Sequence, residues 1–132
     1  MIDRLLAPID GSENAERALR FAADLARRYE ARLDVVHLTD VETESTRALL
    51  EEADDILEEA GLPGEAAVKY DLRLTFKSSD RVGKGILDLV EEHGYDHVVM
   101  GHHGTGAVGR LLLGSATETV IRDDSVAVTV IP

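Results

Sequence analysis

Residues 101–115 read GHHGTGAVGRLLLGS, with two residues between Gly101 and Gly104, nine more before Gly114, and a hydroxyl directly after it. Glycine admits positive φ and carries no Cβ to hold a ligand off the backbone, so nearby N–H groups stay within reach of an anion. The loop follows a short apolar run, Val98 to Met100, and leads into a helix-like stretch. A helix start adds four unpaired N–H donors and about half a positive charge. Glycines that leave a strand and return at a helix start therefore predict a loop that holds phosphate through backbone groups, with no lysine required. The alternative is a loop whose glycines only permit turns. Its place after a strand favours the phosphate loop.

Asp10, in the segment Ala7-Pro8-Ile9-Asp10-Gly11-Ser12, is the next residue whose chemistry stands out. Its carboxylate is suited to a ligand hydroxyl or a cation, and equally to an Asx turn or helix cap with Ser12; the two roles are compatible. Ser115 is likewise placed for phosphate contact or for a plain N-cap, or for both. His102 and His103 are adjacent, so their side chains diverge, and no cysteine or carboxylate cluster accompanies them. Turn polarity is a better expectation for the pair than metal binding. His37 reads as a packed, hydrogen-bonded histidine rather than a base. Arg110 is either a phosphate partner or a solvated loop residue. Two nucleotide fingerprints are missing. A Gly-x-Gly-x-x-Gly would follow the first strand, where only Gly11 stands. Gly109 and Gly114 have the outer spacing of a Walker A loop, but Ser115 takes the place of the lysine on which that chemistry depends.

Five apolar runs are expected as strands to position these groups: Ile2 to Ile9, Leu33 to Leu38, Val68 to Phe76, His97 to Gly101 and Val126 to Ile131. Helical spacing fills the intervals. Glu13 to Tyr29 repeats apolar residues at Ala15, Ala18, Leu19, Ala22, Leu25, Ala26 and Tyr29, with Ser12 as N-cap and Glu13 and Glu16 in the first turn. A second helix runs from about Thr43 to Ala60 and is stopped by Gly61; a third runs from Val82 to His93 and ends at Gly94. A fourth begins near Gly114 and carries Val120 and Ile121 inward. Strict alternation of strand and helix predicts a doubly wound α/β domain, with parallel strands, right-handed crossovers and helices on both faces. Ligands in such sheets bind beyond the carboxyl ends of the strands, where the strand order reverses. The first and fourth strands carry the equipped ends.

The chain has 132 residues, enough for one domain, and no cysteine, which excludes a disulfide scaffold, a thiolate metal site and a cysteine nucleophile. A net charge of −12 argues against nonspecific binding to nucleic acid or to an anionic membrane. The basic residues are 3 Lys against 11 Arg, and an acid-rich, lysine-poor surface suits a salt-rich, halophilic cytoplasm as well as an ordinary acidic protein. The opening MIDRLLAPIDGS has charge at Asp3 and Arg4 and no long apolar run. Neither a signal peptide nor a membrane span is expected there, and the cytoplasm is the expected compartment.

Taken together, Pro8-Ile9-Asp10-Gly11-Ser12, His37-Leu38 and DHVVMGHHGTGAVGRLLLGSATETV from Asp96 to Val120 resemble the universal stress protein family, in its ATP-binding subgroup. The resemblance covers nearly the whole chain as one domain, residues 1–132. It implies a five-stranded parallel sheet of order 3-2-1-4-5 with helices on both faces, of the Rossmann-like, adenine nucleotide alpha hydrolase-like kind. It also implies a cofactor-binding set of Pro8, Ile9, Asp10, Leu38, Met100, Gly101, His103, Gly104, Gly114, Ser115, Ala116 and Thr117. In that set Ile9 and Leu38 face adenine, Asp10 lies near base, ribose or a nucleotide-bound Mg²⁺, and Gly101 lies by the ribose. Gly104 and Gly114 to Thr117 hold phosphates through backbone N–H groups and two hydroxyls. The cofactor implied is ATP, or AMP or ADP in its place. The function implied is a nucleotide-dependent regulatory or stress-response switch with at most slow hydrolysis. A Mg²⁺-dependent ATPase or adenylyl-transfer enzyme of a related fold is the alternative. Ala116 stands where the family commonly has valine, and Lys77-Ser78-Ser79-Asp80-Arg81 lacks a Gly-x-Pro turn common there. The last run, Val126 to Ile131, would form an exposed sheet edge, and both physics and resemblance predict a homodimer through it.

Overall fold

The computed structural model describes residues 2–39, 44–62, 67–73, 81–102 and 113–132. Along them lie β1 (Arg4–Pro8), α1 (Glu13–Tyr29), β2 (Arg32–Thr39), α2 (Glu44–Glu59), β3 (Ala67–Arg73), α3 (Arg81–His93), β4 (His97–Gly101), α4 (Ser115–Asp123) and β5 (Ala127–Ile131). In β1 and β4 every residue after the first is buried, as expected of strands covered on both faces. All strand pairs are parallel, and the sheet runs β3-β2-β1-β4-β5. From β1 the chain builds outward to β2 and β3, then crosses back to place β4 and β5 on the other side. The order therefore reverses between β1 and β4.

Alternate side chains of the strands feed two cores. Leu5, Ala7, Leu33, Val35 and Val99 pack with Ala18, Leu19, Ala22 and Ala26 of α1 and with Ala53, Ile56 and Leu57 of α2. Leu6, Val36, Leu38, Val98 and Met100 pack on the opposite face with Ile86, Leu89 and Val90 of α3 and Val120 of α4. Each fully buried Leu, Ile or Val contributes about 1.5–3 kcal/mol. Helix ends follow local chemistry. Ser12 caps α1 by accepting from Ala15 N, and Glu13 and Glu16 sit in the first turn. The residues that turn the chain out of the helices, Glu30, Gly61, Gly94 and Asp124, have positive φ. The stops expected at Gly61 and Gly94 are there.

Two apolar assignments differ from the helical pattern. Tyr29 is 54 % exposed, because Ala26 and Ala31 take the inner positions at that end of α1. Ile121 is 42 % exposed. Consecutive helical residues lie about 100° apart, and the inward direction belongs to Thr117 and Val120, both buried. The residues 77–80 and the loop residue Arg110 lie outside the described residues.

Polar groups tie the strand starts together at the end of the sheet remote from Gly101. Asp34, 4 % exposed, accepts from Arg32 Nε at 2.9 Å and from the Tyr95 hydroxyl. Asp96 accepts from the backbone N–H groups of Asp3 and Arg4 at 2.9 and 2.8 Å. Beside it, His97 Nε2 lies 2.7 Å from Thr129 Oγ1, joining β4 to the edge strand β5. Burial lowers the His97 pKa below its ordinary value of 6.5, against an opposing pull from Asp96. The unfolded chain therefore takes up this proton at a higher pH than the folded one. The His97 contribution to stability is full above about pH 6.5 and is lost as the pH falls through that value toward the lower folded pKa. Melting curves at about pH 7.5 and 5.5 are expected to show a smaller acid-induced drop in His97→Gln than in the wild type. An equal drop in both would dismiss His97 as a contributor.

Candidate functional site

The strand-order reversal leaves a gap beyond the carboxyl ends of β1 and β4, and a cleft of about 220 Å³ opens there. Pro8, Ile9 and Asp10 come from the end of β1 and the turn after it. Met100 and Gly101 come from the end of β4, Leu38 from β2, and Gly114, Ser115, Ala116 and Thr117 from the start of α4. Ten of the twelve residues expected from the sequence thus meet in one cleft. The other two, His103 and Gly104, lie outside the described residues. Three lining residues were not expected: Ala15 of α1 and Val82 and Ile86 of α3. They are apolar at helical spacing, a pattern that reads as ordinary core.

The floor is apolar and fixed by the strands. Leu38, Ile86 and Met100 are buried members of the second core that also line the cleft. The exit of β1 is pinned from β2: Ile9 N donates to Val36 O at 2.8 Å, and His37 Nδ1 lies 2.8 Å from Ile9 O. His37 is therefore a packed, hydrogen-bonded residue, as its place in the sequence suggested. Asp10 closes an Asx turn, its Oδ1 accepting from Ser12 N at 2.9 Å and Ser12 Oγ at 2.6 Å. Asp10 is also one of the residues that line the cleft.

The α4 end is the polar end. Gly114 is its N-cap residue, with φ −63° and ψ 152° and no side-chain capping bond. The first turn leaves the amides of Ala116 and Thr117 without an acceptor inside the helix. α1 is built differently, since Ser12 caps it from its own sequence. Two groups expected as anion donors are already engaged. Gly114 N donates to His102 O at 2.9 Å, and the buried Thr117 hydroxyl donates to Gly101 O at 2.8 Å. These bonds fasten the start of α4 to the end of β4, and they leave first-turn amides as the means of holding an anion.

Close packing sets the remaining geometry. A Cβ built on Gly83 of α3 would lie 2.6 Å from Thr119 Cβ and 3.2 Å from Ala116 O, so α3 and α4 touch through that glycine. A Cβ built on Gly101 would lie 1.9 Å from Asn14 Oδ1 and 3.0 Å from Ala15 N. Gly101 is thus required where α1 begins against β4. Among the described residues lining the cleft, Asp10 is the one with a titratable side chain. No group of three or more His, Asp or Glu stands together for a metal ion among the described residues.

A parallel α/β sheet covered by helices on both faces, with a cleft at the reversal of strand order and a helix start with a glycine N-cap lining it, defines the class of protein. The chain belongs to the universal stress protein family, whose model matches residues 1–132. A universal stress protein of Thermus aquaticus is 32% identical, over 93% of this chain and 93% of its own. The fold is shared with solved structures. One is a universal stress protein in complex with cAMP, 22% identical, with TM-score 0.78 over 98% of this chain and 96% of its own. Another is the Archaeoglobus fulgidus universal stress protein in complex with dAMP, 22% identical, with TM-score 0.71 over 100% of this chain and 98% of its own. No helix of the described residues is long and apolar enough to cross a membrane.

Proposed function

We propose that this universal stress protein binds an adenine nucleotide in the cleft between β1 and β4, with ATP as the principal ligand and ADP or AMP able to replace it, and acts as a nucleotide-dependent switch in a cytoplasmic stress response. The observation that carries this reading is the polarity of the cleft. One end is an apolar floor of Ile9, Leu38, Ile86 and Met100, suited to the flat faces of a base; the other is the start of α4, where a glycine stands at the N-cap, suited to phosphates. Asp10 lies on the wall with them, suited to a ribose hydroxyl or to Mg²⁺ carried in on the phosphates. Pro8 and Gly101 shape the same wall, Ser115, Ala116 and Thr117 face the phosphates, and His103 and Gly104 complete the set on the loop that the family resemblance supplies. Bound adenine-nucleotide structures of related fold add support.

Binding is favoured over turnover because fast phosphoryl transfer requires a positioned base or a cationic clamp besides a carboxylate. The described lining offers Asp10 for that work. Adenine nucleotide released by denaturing freshly purified protein, identified by mass spectrometry, together with calorimetric titration of the emptied protein with ATP and AMP, tests the reading. Absence of nucleotide in the first and of heat in the second would refute it. Steady hydrolysis abolished by Asp10→Ala with affinity retained would instead establish the Mg²⁺-dependent enzyme.

The whole chain acts as one nucleotide-binding domain and pairs with a second copy through β5. That strand ends the sheet, and each of Val128, Thr129, Val130 and Ile131 is only half-buried. An uncovered edge offers a row of backbone groups for pairing. Light scattering at micromolar concentration and several salt levels is expected to give the mass of a dimer; a monomer throughout would end this part of the proposal.

A further inference from the structure

Asn14 is a polar side chain that the proposed function leaves without a role. It is the second residue of α1, 2 % exposed and among the largest fully buried side chains. A buried amide costs free energy unless its hydrogen bonds are made, so its presence beside the cleft calls for a reason. Asn14 Nδ2 donates to Ser12 Oγ at 3.0 Å. Ala15 N also donates to Ser12 Oγ, at 3.2 Å. With two donors on its lone pairs, the hydroxyl directs its one proton to Asp10 Oδ1, 2.6 Å away. Ser12 N gives the same carboxylate oxygen a second bond at 2.9 Å. The chain Asn14–Ser12–Asp10 therefore fixes the rotation of the Asp10 carboxylate. At its other end Asn14 lies against Gly101, where its Oδ1 occupies the space of a Cβ. One side chain spans the two strand ends between which the cleft opens.

We propose that Asn14 is a positioning residue of this site. Through Ser12 it sets the angle at which Asp10 meets the ligand. The proposal rests on the reading that the cleft holds an adenine nucleotide. It predicts an effect on affinity that passes through Asp10, which a residue needed only for packing would not give.

The test is a double-mutant cycle in the full chain, read by calorimetric titration with ATP: wild type, Asn14→Ala, Asp10→Ala and the double variant. Asn14→Ala is expected to weaken ATP binding about tenfold, and to change it less than about twofold once Asp10 is already alanine. Should Asn14→Ala fail to fold, Asn14→Asp keeps the size of the side chain and turns the donor toward Ser12 into an acceptor. The Ser12 proton then has two carboxylates to choose between, and the same dependence on Asp10 is expected. A wild type that binds no nucleotide overturns the nucleotide reading and this proposal together. A wild type that binds, with Asn14 variants that bind equally well or that lose as much without Asp10 as with it, overturns the positioning role alone.

Discussion

Gly101→Ala is expected to melt roughly 10 °C below the wild type, a loss of about 2–3 kcal/mol. The new Cβ would fall 1.9 Å from Asn14 Oδ1 and 2.8 Å from its Cγ, distances at which something must move. Asn14 is fully buried, so it has no solvent to swing into. Ala15 N, 3.0 Å away, belongs to the first turn of α1 and cannot yield without displacing the helix. Relief therefore requires α1 to shift from β4, which disturbs the core shared by Leu19, Ala22 and Val99, or the Asn14 amide to break its bond to Ser12. Either route disturbs the cleft, because Ser12 holds Asp10. The cause can be isolated. In an Asn14→Ala background the obstructing atoms are gone, so the same Gly101→Ala change should cost less than half as much, with only the Ala15 contact remaining. Thermal melts of the four proteins by circular dichroism decide the matter: an unchanged melting temperature for Gly101→Ala, or an equal drop in both backgrounds, would contradict this packing account.

The glycine loop was legible as a site in the sequence, where its glycines promised both positive φ and a backbone without Cβ. At the two loop glycines among the described residues, Gly101 and Gly114, the second use is the one that applies. Among the described residues the glycines with positive φ are Gly11, Gly61 and Gly94, two of which follow helices. Gly101 and Gly114 lie elsewhere in φ and ψ, so their value is the absence of a side chain: at Gly101 to admit Asn14, and at Gly114 to leave the start of α4 open. Local chemistry made Ser12, Asp10 and the helix stops readable, because each depends on residues a few positions away. Alternation of apolar runs likewise made strands and helices readable. What escaped notice depends on contacts between distant segments. Asn14 looks like any polar residue in a first helical turn until Gly101, far along the chain, is brought against it. Gly83 gave a faint signal, since a glycine inside a helix costs roughly 1 kcal/mol against alanine; its purpose is visible only when Thr119 of α4 is packed on it. Val82 and Ile86 line the cleft with the same apolar spacing that would mark them as core, and Ile86 serves as both.

Gly114→Val is expected to empty the site while leaving the fold in place. At φ −63° and ψ 152° the backbone is extended, a conformation that a β-branched residue adopts readily. The N–H that binds His102 O is kept, since valine retains its backbone donor. Exchanging glycine for valine at an N-cap position costs about 1 kcal/mol, a shift of a few degrees in melting temperature. The ligand meets a different situation. A Cβ and two methyl groups would stand at the rim of the cleft beside Ser115, Ala116 and Thr117, where a phosphate must come within about 3 Å of backbone nitrogen to be held. Hydrogen bonds to a charged group contribute about 1.5–3 kcal/mol each, so losing two of them weakens binding by at least about a hundredfold. Mass spectrometry should find adenine nucleotide in the denatured wild type and almost none in the variant, and calorimetry should show ATP affinity falling far more than that of adenosine, which carries no phosphate. Equal nucleotide content in the two proteins would mean that the start of α4 does not hold the phosphates. An equal loss of ATP and adenosine would mean that the valine had closed the cleft as a whole, and the assignment of its polar end to phosphate would have to be given up.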